Sequence, residues 1–271
     1  MTTYLDDLLA GARRRVADAR AVEPLEALRE RADQVATPPS FRDALAQPGV
    51  QVIAEVKRAS PSKGDLAPDL VAPVQARAYA DGGAAAVSVL TEPDRFKGSL
   101  ADLADVAALG IPALRKDFVV DPYQIWEARV AGASAVLLIV AALDEPLLAS
   151  LLDEAAQAGL DVLTEIHDAA EVATATRVGA GIVGVNARDL RSFELDRDGF
   201  GRLRPQLADG VLAVSESGVR DADDVRRAAR EGADAVLVGE TLVRADDPTA
   251  AVAELVAAGS EHAATPRSER T

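Results

Sequence analysis

Eight short runs of apolar residues recur along the chain, and each is about as long as a β-strand. Most are apolar at odd and even positions alike, which is typical of parallel strands covered by helices on both faces. The pattern therefore predicts a buried parallel sheet. The runs are VQVIAEVK (50–57), AAAVSVL (84–90), IPALRKDF (111–118), SAVLLIV (134–140), LDVLTEI (160–166), GIVGVN (181–186), VLAVSES (211–217) and DAVLVGE (234–240).

Amphipathic helical patterns separate these runs, and helix starts are predicted at Pro68, Pro122 and Pro146. The segment DEPLLASLLDEAAQAG (144–159) places its leucines on one stripe and ends in a glycine that can cap a helix. The segment DADDVRRAAREGAD (221–234) opens with acids and closes with arginine and glycine, which matches the helix dipole. Eight strands that alternate with helices predict an α/β fold of the (β/α)8 TIM-barrel class, which typically takes about 250 residues.

The segments outside the barrel pattern are an N-terminal extension and a polar tail. Residues 1–48 carry apolar side chains at helical spacing from Tyr4 to Val16, and a second short helix is predicted to start at Ser40. We expect this helical extension to cover one end of the barrel. A single domain is predicted over residues 1–258, with the barrel at 49–258 and a disordered tail at 259–271.

Charge and composition exclude several classes of partner. The net charge of −15 argues against nucleic acid, because the phosphate backbone binds basic surfaces. The chain has no cysteine, so disulfides, thiolate catalysis and cysteine metal sites are excluded. Neither a signal peptide nor a run of about 20 apolar residues is recognisable. We expect a soluble cytoplasmic protein without a membrane partner, as a monomer or weak homo-oligomer.

Polar side chains collect where the apolar runs end, whereas the runs begin mostly with apolar or small residues. Active sites of barrels form at the C-terminal ends of the strands, so this asymmetry predicts one charged mouth. Any one of these residues could equally mark the point where solvent begins. The polar residues at the ends are Glu55, Lys57, Arg115, Lys116, Asp117, Glu165, Asn186, Arg188, Glu216 and Ser217.

Lysine is rare in this chain, whose other basic residues are arginines. All four lysines, Lys57, Lys63, Lys97 and Lys116, lie at or just beyond the predicted strand ends. Either function has retained them there, or codon usage favours arginine elsewhere. Glu55 and Lys57 are two residues apart on one strand and so share a face, where they could be a structural ion pair or part of a catalytic site.

Seven motifs together resemble the indole-3-glycerol phosphate synthase family. They are VIAEVKRASPSKG, LRKDF, LLIVAAL, LTEIHD, GVNARDL, SESGV and VLVGETL, in family order and spacing from about residue 41 to 245. The segment E-x-K-x-x-S-P-S, with KDF and N-x-R-D-L, makes the resemblance specific. The N-terminal extension also fits, since these enzymes carry extra helices before the first strand.

The resemblance implies an enzyme of tryptophan biosynthesis that acts without a cofactor or metal. The family converts 1-(o-carboxyphenylamino)-1-deoxyribulose 5-phosphate to indole-3-glycerol phosphate with loss of CO₂ and water. Lys116 matches the family's general acid and Glu165 its general base. Lys57 could protonate the departing hydroxyl, with Glu55 orienting it, and the division of acid roles between the two lysines stays open. Burial could lower the pKa of Lys116, although neighbouring carboxylates oppose this.

The same resemblance implies where an anionic sugar-phosphate substrate binds. Asn186 and Arg188 match positions near the reacting end, where an arginine can hold a carboxylate. The phosphate is expected at the loops after the seventh and eighth strands. There Glu240 should contribute through its backbone N–H alone, with its side chain pointing away from the mouth. The implied binding residues are Ser60, Asn186, Arg188, Glu216, Ser217, Phe96, Phe118 and Leu137, with Leu190 as a further wall and Gly218, Gly239 and Glu240 at the phosphate.

Two segments near these residues have other interpretations. His167 lies two residues beyond Glu165 and begins a helical pattern, so we interpret it as a helix-start or surface residue rather than a base. The segment Ser60–Gly64 is predicted to be a mobile lid over the substrate. Trp126 falls in an amphipathic pattern, which favours packing in the outer layer.

Two alternative functions remain from the residues. A phosphoribosylanthranilate isomerase is a related phosphate-binding barrel, but its family pattern uses a cysteine base, which this chain lacks. A barrel that binds a sugar phosphate without catalysis is the other alternative. Two acids and two lysines in one mouth argue against a protein that only binds.

Overall fold

The eight predicted runs form the eight parallel strands of a closed barrel. The structure, a computed structural model, describes residues 4–61, 63–189 and 193–261. Each strand pairs with its neighbours in chain order, and the first strand closes the barrel against the last. The strands are β1 Gln51–Val56, β2 Ala86–Leu90, β3 Ala113–Lys116, β4 Ala135–Ile139, β5 Asp161–Ile166, β6 Ile182–Asn186, β7 Leu212–Glu216 and β8 Ala235–Val238.

Helices cover the outside of the barrel. Aspartate or serine side chains cap most of them by accepting a hydrogen bond from a backbone N–H of the first turn, as Asp144 does for the helix Glu145–Gln157. The helices are α1 Tyr4–Val22, α2 Leu25–Ala32, α3 Phe41–Leu45, α4 Ala72–Asp81, α5 Leu100–Ala107, α6 Pro122–Val130, α7 Glu145–Gln157, α8 Ala169–Arg177, α9 Gly199–Leu203, α10 Ala222–Arg230, α11 Glu240–Val243 and α12 Pro248–Ser260. Short 3₁₀ turns follow at Val140–Ala142 and Arg204–Gln206, and a two-residue antiparallel ladder joins Ala59–Ser60 to Gly64–Asp65.

Alternation along each strand divides the core into an inner and an outer part. In β1, Ile53 belongs to the cluster inside the barrel, whereas Val52 and Ala54 pack with the surrounding helices. Side chains at every second position share a face, so Glu55 and Lys57 continue the inward row that Ile53 begins. The same parity relates Leu114 to Lys116 in β3.

The N-terminal extension contributes to both ends of the barrel. Phe41 and Leu45 of α3 are fully buried in the inner cluster with Ile182 and Leu212, at the start of their strands. In contrast, Leu5 of α1 and its neighbours lie at the opposite end, where the strands finish. The expectation that the extension covers one end was therefore incomplete, because two of its helices serve different ends.

Three predicted boundaries differ from the structure. The described part of the extension, residues 4–48, contains three helices rather than two, since Pro24 precedes an additional helix, α2. Pro68 does not start a helix; α4 begins at Ala72, with a proline in its first turn. The last helix runs to Ser260, two residues into the predicted tail, and residues 262–271 lie outside the described part of the chain.

We predict that Phe41→Ala lowers the free energy of unfolding by about 3–5 kcal/mol, because the ring is completely buried in the inner cluster. Urea denaturation followed by circular dichroism measures the change. Val22→Ala is the control, since Val22 is 87% exposed, and its effect should stay within about 0.5 kcal/mol. Equal effects of the two substitutions would contradict a packed closure by α3.

Candidate active site

A cavity of about 500 Å³ opens at the C-terminal ends of the strands. The described residues assigned to the site from sequence line it except Glu216, which contacts Lys116 within the barrel. Arg115, which also ends a strand, lies outside the cavity and pairs with Asp117 and Glu127 instead. The lining set is Glu55, Lys57, Ser60, Phe96, Lys116, Phe118, Leu137, Glu165, Asn186, Arg188, Ser217, Gly218, Gly239 and Glu240. Strands and loops distant in sequence thus contribute to one mouth, and Leu190 and Ser62 lie outside the described residues.

Lys116 joins two buried carboxylates at the centre of the cavity. Its Nζ lies 3.2 Å from Glu165 Oε2 and 3.1 Å from Glu216 Oε2. The two glutamates are almost inaccessible, with side-chain exposures of 1% and 2%. Buried charges are stable only when they are paired, so the ammonium compensates both acids at once.

The proton affinities of this cluster follow from burial and from that pairing. Burial opposes the charge on Lys116, but Glu216 and Glu165 outweigh it and raise its pKa, so the lysine stays protonated. Burial also opposes the ionised form of Glu165, yet Lys116 and His167 hold its pKa below the usual range. Burial raises the pKa of Glu216 to about 7, and repulsion from Glu165 adds to this despite the attraction of Lys116. The two glutamates therefore differ in protonation near neutral pH.

Gly184 in β6 makes room for Glu216. A Cβ at this position would overlap the Oε1 atom of Glu216 and crowd Leu163. Gly239 makes room in the same way, because a Cβ added there would come within 2.7 Å of Glu55 Oε1 and 2.9 Å of Lys57 Nζ. Packing around charged side chains is thus a reason for Gly239 that the sequence did not reveal.

Glu55 and Lys57 form an ion pair at the edge of the cavity. The Lys57 Nζ to Glu55 Oε1 distance is 2.5 Å, and both side chains are mostly buried. Tyr79 donates a hydrogen bond of 3.2 Å to the Glu55 carbonyl and anchors this end of β1. Because both charged side chains also line the cavity, a structural pair and a role in chemistry are compatible here.

The polar wall at β6 and β7 depends on the Asn186 amide. Its Oδ1 accepts hydrogen bonds from Ser217 Oγ at 2.8 Å and from the backbone N–H of Arg188 at 3.0 Å. Because Oδ1 already accepts these two hydrogen bonds, the amide NH₂ is the group that donates to Glu165, and this bond helps to lower the pKa of Glu165. Ser217 has a φ of 66°, and Gly218 follows at 82°, so the chain turns sharply after β7. Arg188 donates through Nη1 to the Phe193 carbonyl at 3.0 Å.

An apolar wall faces these charges. The rings of Phe96 and Phe118 have centroids 6.3 Å apart, and Leu137 lies beside them in the lining. Sequence analysis did not anticipate that α1 also reaches this wall through Tyr4, whose ring packs edge-on against Phe193 at 5.1 Å. Helical spacing identified the apolar face of α1, but not the end of the barrel that it covers.

The lining is more basic than the protein as a whole. It contains seven basic residues and four acidic ones, a difference of +3 in a chain of net charge −15. Lys97 is not among them, since it pairs with Asp65 at 2.6 Å outside the cavity. The seven are Lys57, Lys63, Lys116, Arg188, Arg197, Arg220 and Arg244, of which sequence analysis did not propose Arg197, Arg220 and Arg244.

Two placements correct the sequence interpretation. His167 lies beside the start of α8, one of the two predicted placements, but it is not at the surface, because its side chain is only 12% exposed. Its Nε2 lies 3.4 Å from Glu165 Oε1. The side chain of Glu240 was expected to point away from the mouth. Its carboxylate instead lies 3.9 Å from Lys63 and 3.7 Å from Arg244, and all three residues line the cavity.

Neither a metal cluster nor a membrane-spanning helix is found in the described part of the chain. Residues 4–61, 63–189 and 193–261 contain no group of three or more His, Asp or Glu side chains arranged to hold a metal ion. Within the same ranges, no helix is long and apolar enough to cross a membrane.

The fold and the charged mouth define a (β/α)8-barrel enzyme whose site is built from lysines and glutamates. The family model for indole-3-glycerol phosphate synthase matches residues 5–255. The chain belongs to this family of carboxy-lyases of tryptophan biosynthesis.

The chain matches its relatives in sequence along nearly their whole length. The chain is 51% identical to the indole-3-glycerol phosphate synthase of Mycobacterium sp. (strain KMS), covering 99% of this chain and 98% of the relative. It is 52% identical to the enzyme of the same name from Mycolicibacterium smegmatis, with the same coverage. Among solved structures, 3-hexulose-6-phosphate synthase from Salmonella typhimurium matches with a TM-score of 0.64 at 16% identity. This match covers 79% of this chain and 100% of that one, and it supports the fold alone.

We predict that one carboxyl group titrates near pH 7 and that Glu216→Gln removes this titration. The raised pKa of Glu216 comes first from burial, so the signal should be absent from an exposed acid. Carbon-13 NMR of labelled glutamate side chains, followed against pH, measures it. Glu254→Gln on the exposed face of α12 is the control and should leave the signal in place.

Because the pKa of Glu216 is raised on folding, its contribution to stability is fully present below the unfolded pKa of about 4.5. This contribution is then lost as the pH rises through about 7. An unaltered titration in Glu216→Gln would show that another group is responsible for it.

Proposed function

We propose that this chain converts 1-(o-carboxyphenylamino)-1-deoxyribulose 5-phosphate to indole-3-glycerol phosphate, CO₂ and water. The observation that carries the proposal is the Lys116 ammonium, held between two buried glutamates and open to the cavity. Ring closure needs a proton donor at the ketone oxygen, and a lysine that stays protonated meets that need. Of the two opposing influences on its pKa, the neighbouring carboxylates outweigh burial, so the pKa of Lys116 is raised rather than lowered.

Three residues can donate and accept the protons that the reaction requires. Lys116 protonates the ketone oxygen as the new carbon–carbon bond forms, and the aromatic carboxylate then leaves as CO₂. Lys57 protonates the resulting hydroxyl, which departs as water. Glu165 removes one proton from the carbon beside the ring nitrogen, so that the indole double bond forms.

The same inventory explains how the site resets. After one turnover the two lysines have each lost a proton and Glu165 has gained one. Because Glu165 Oε2 lies 3.2 Å from Lys116 Nζ, that proton can return directly to Lys116. Lys57 regains its proton from solvent. This is the one proton that the overall reaction consumes, because a carboxylate ion leaves as neutral CO₂. Glu216, with a pKa of about 7, modulates the charge beside Lys116 through these steps.

The basic lining supports binding of a substrate with two anionic ends. We assign the carboxylate to Asn186 and Arg188, beside the catalytic glutamate. The phosphate is assigned to the turn at Ser217 and Gly218 and to the opening of α11 after Gly239, as in many barrels. The aromatic ring of the substrate would then lie against Phe96, Phe118 and Leu137.

We predict that Lys116→Ala lowers kcat by about a thousandfold or more, since the general acid is lost. An ultraviolet assay of indole formation measures the rate, and circular dichroism confirms that the variant is folded. Lys97→Ala is the matched control, because Lys97 is an ion-paired lysine outside the cavity. Turnover of Lys116→Ala near that of the unaltered protein would refute the assignment of the acid.

We predict that Lys63→Gln raises KM more than it lowers kcat. Lys63 lines the cavity with a half-exposed side chain, 3.9 Å from Glu240, and contacts none of the proposed acid–base groups. It can therefore contribute to binding an anion without taking part in proton transfer. Steady-state kinetics at two salt concentrations measure both constants, with Lys97→Gln as the control. A fall in kcat at unchanged KM would argue against a binding role.

A further inference from the structure

His167 connects the proposed base to the start of the next helix. It follows β5 directly, and its Nε2 faces Glu165 Oε1 at 3.4 Å. On its other side, Nδ1 lies 3.2 Å from Glu171 Oε2 in the first turn of α8. The same Oε2 accepts a hydrogen bond of 2.7 Å from the His167 backbone N–H. The imidazole therefore lies between two carboxylates, and both the backbone N–H and the side chain of His167 contact that of Glu171.

The facing atoms of His167 and Glu165 lack a hydrogen bond of normal geometry in the described part of the chain. Both Nε2 and Oε1 are buried. The other oxygen of Glu165, Oε2, already lies against Lys116. A buried donor and a buried acceptor that face each other at 3.4 Å need only a small movement to bond, and such contacts often tighten when substrate binds.

We propose that His167 is a positioning residue for the reaction, which holds Glu165 by Oε1 so that Oε2 remains directed at Lys116 and the substrate. This proposal rests on the proposed function, in which Glu165 is the base. His167 does not line the cavity, so it acts through Glu165 and not by touching substrate. Glu171 fixes the orientation of the imidazole, as carboxylates do for functional histidines in other proteins.

The charge of the imidazole contributes to the same effect. Burial opposes protonation, but the neighbouring carboxylates of Glu165 and Glu171 outweigh it and raise the pKa of His167 to about 10. Those two carboxylates, one from β5 and one from α8, are the charged groups that face the ring in the described structure. The 3₁₀ turn Val140–Ala142, which packs against both elements, is apolar. A cationic His167 therefore helps Lys116 to keep Glu165 ionised.

Two substitutions separate the contact with Glu165 from the contact with Glu171. Asparagine places an amide near the position of Nδ1, so His167→Asn keeps a partner for Glu171 and loses the donor to Glu165. Glutamine reaches about as far as Nε2, so His167→Gln keeps a neutral donor to Glu165. Both replacements are polar and suit a position of this limited exposure.

For His167→Asn we expect kcat to fall roughly ten- to hundredfold, because a displaced base loses its alignment. KM should change less than about threefold, since no contact to substrate is removed. The acidic limb of the kcat–pH profile should move up by about one pH unit, because an imidazolium no longer lowers the pKa of Glu165. His167→Gln should recover kcat to within about threefold of the unaltered protein and retain part of the shift in the limb.

The outcomes distinguish this proposal from the proposed function beneath it. Glu165→Gln tests the base itself: if that variant turns over normally, the proposed function fails and the role of His167 fails with it. If Glu165→Gln is inactive while His167→Asn keeps normal kcat and an unmoved acidic limb, only the positioning proposal is overturned. Equal losses in the Asn and Gln variants also overturn it, because the donor to Oε1 would then be irrelevant.

Discussion

The pairing of one ammonium with two buried carboxylates is the interaction on which the site depends. Burying an ion costs several kcal/mol even after relaxation, and Glu165 and Glu216 are both almost inaccessible. Lys116 lies within 3.2 Å of each and offsets that cost. One positive charge cannot fully compensate two negative ones. Lys116 and His167 together lower the pKa of Glu165, whereas burial, with repulsion from Glu165, raises that of Glu216 to about 7.

The closed barrel makes this arrangement possible through strand parity. Inward positions recur at every second residue, so an apolar interior and a charged mouth can share one row, as Leu163 and Glu165 do in β5. Deep in the barrel the row is apolar and tightly packed. At the C-terminal end of the strand the same row meets the cavity, which its charged side chains line. Gly184 then provides the space that Glu216 needs.

Contacts around the mouth hold its charged side chains in place. Asn186 connects β6 with Ser217 after β7 and also supports Glu165. The helix α1 is fastened to the rim by Arg15, which contacts the buried carboxylates of Glu92 and Asp117 at 3.4 Å each. Tyr4 on the same helix completes the apolar wall. The extension is therefore part of the cavity as well as a cover for the barrel.

The order of apolar runs and helical patterns was enough to predict the fold, because burial on two faces and amphipathic spacing are local properties of the chain. All eight strands lie inside the predicted runs. The motifs that carry the family resemblance also named Lys116, Glu165 and Asn186, since each ends a strand and barrel strands end on one face. The extra helix α2 and the start of α4 were missed because proline marks turns as well as helix starts.

Contacts between distant segments were decided only by the tertiary structure. His167 sits beside Glu165 in sequence, but only folding buries its ring between that carboxylate and Glu171. The end of the barrel reached by α1, and the basic residues that join the lining, depend on how helices pack across the barrel. Sequence by itself determined which residues could be charged and buried. The three-dimensional packing decided which charges meet, and thereby which protons each residue can hold.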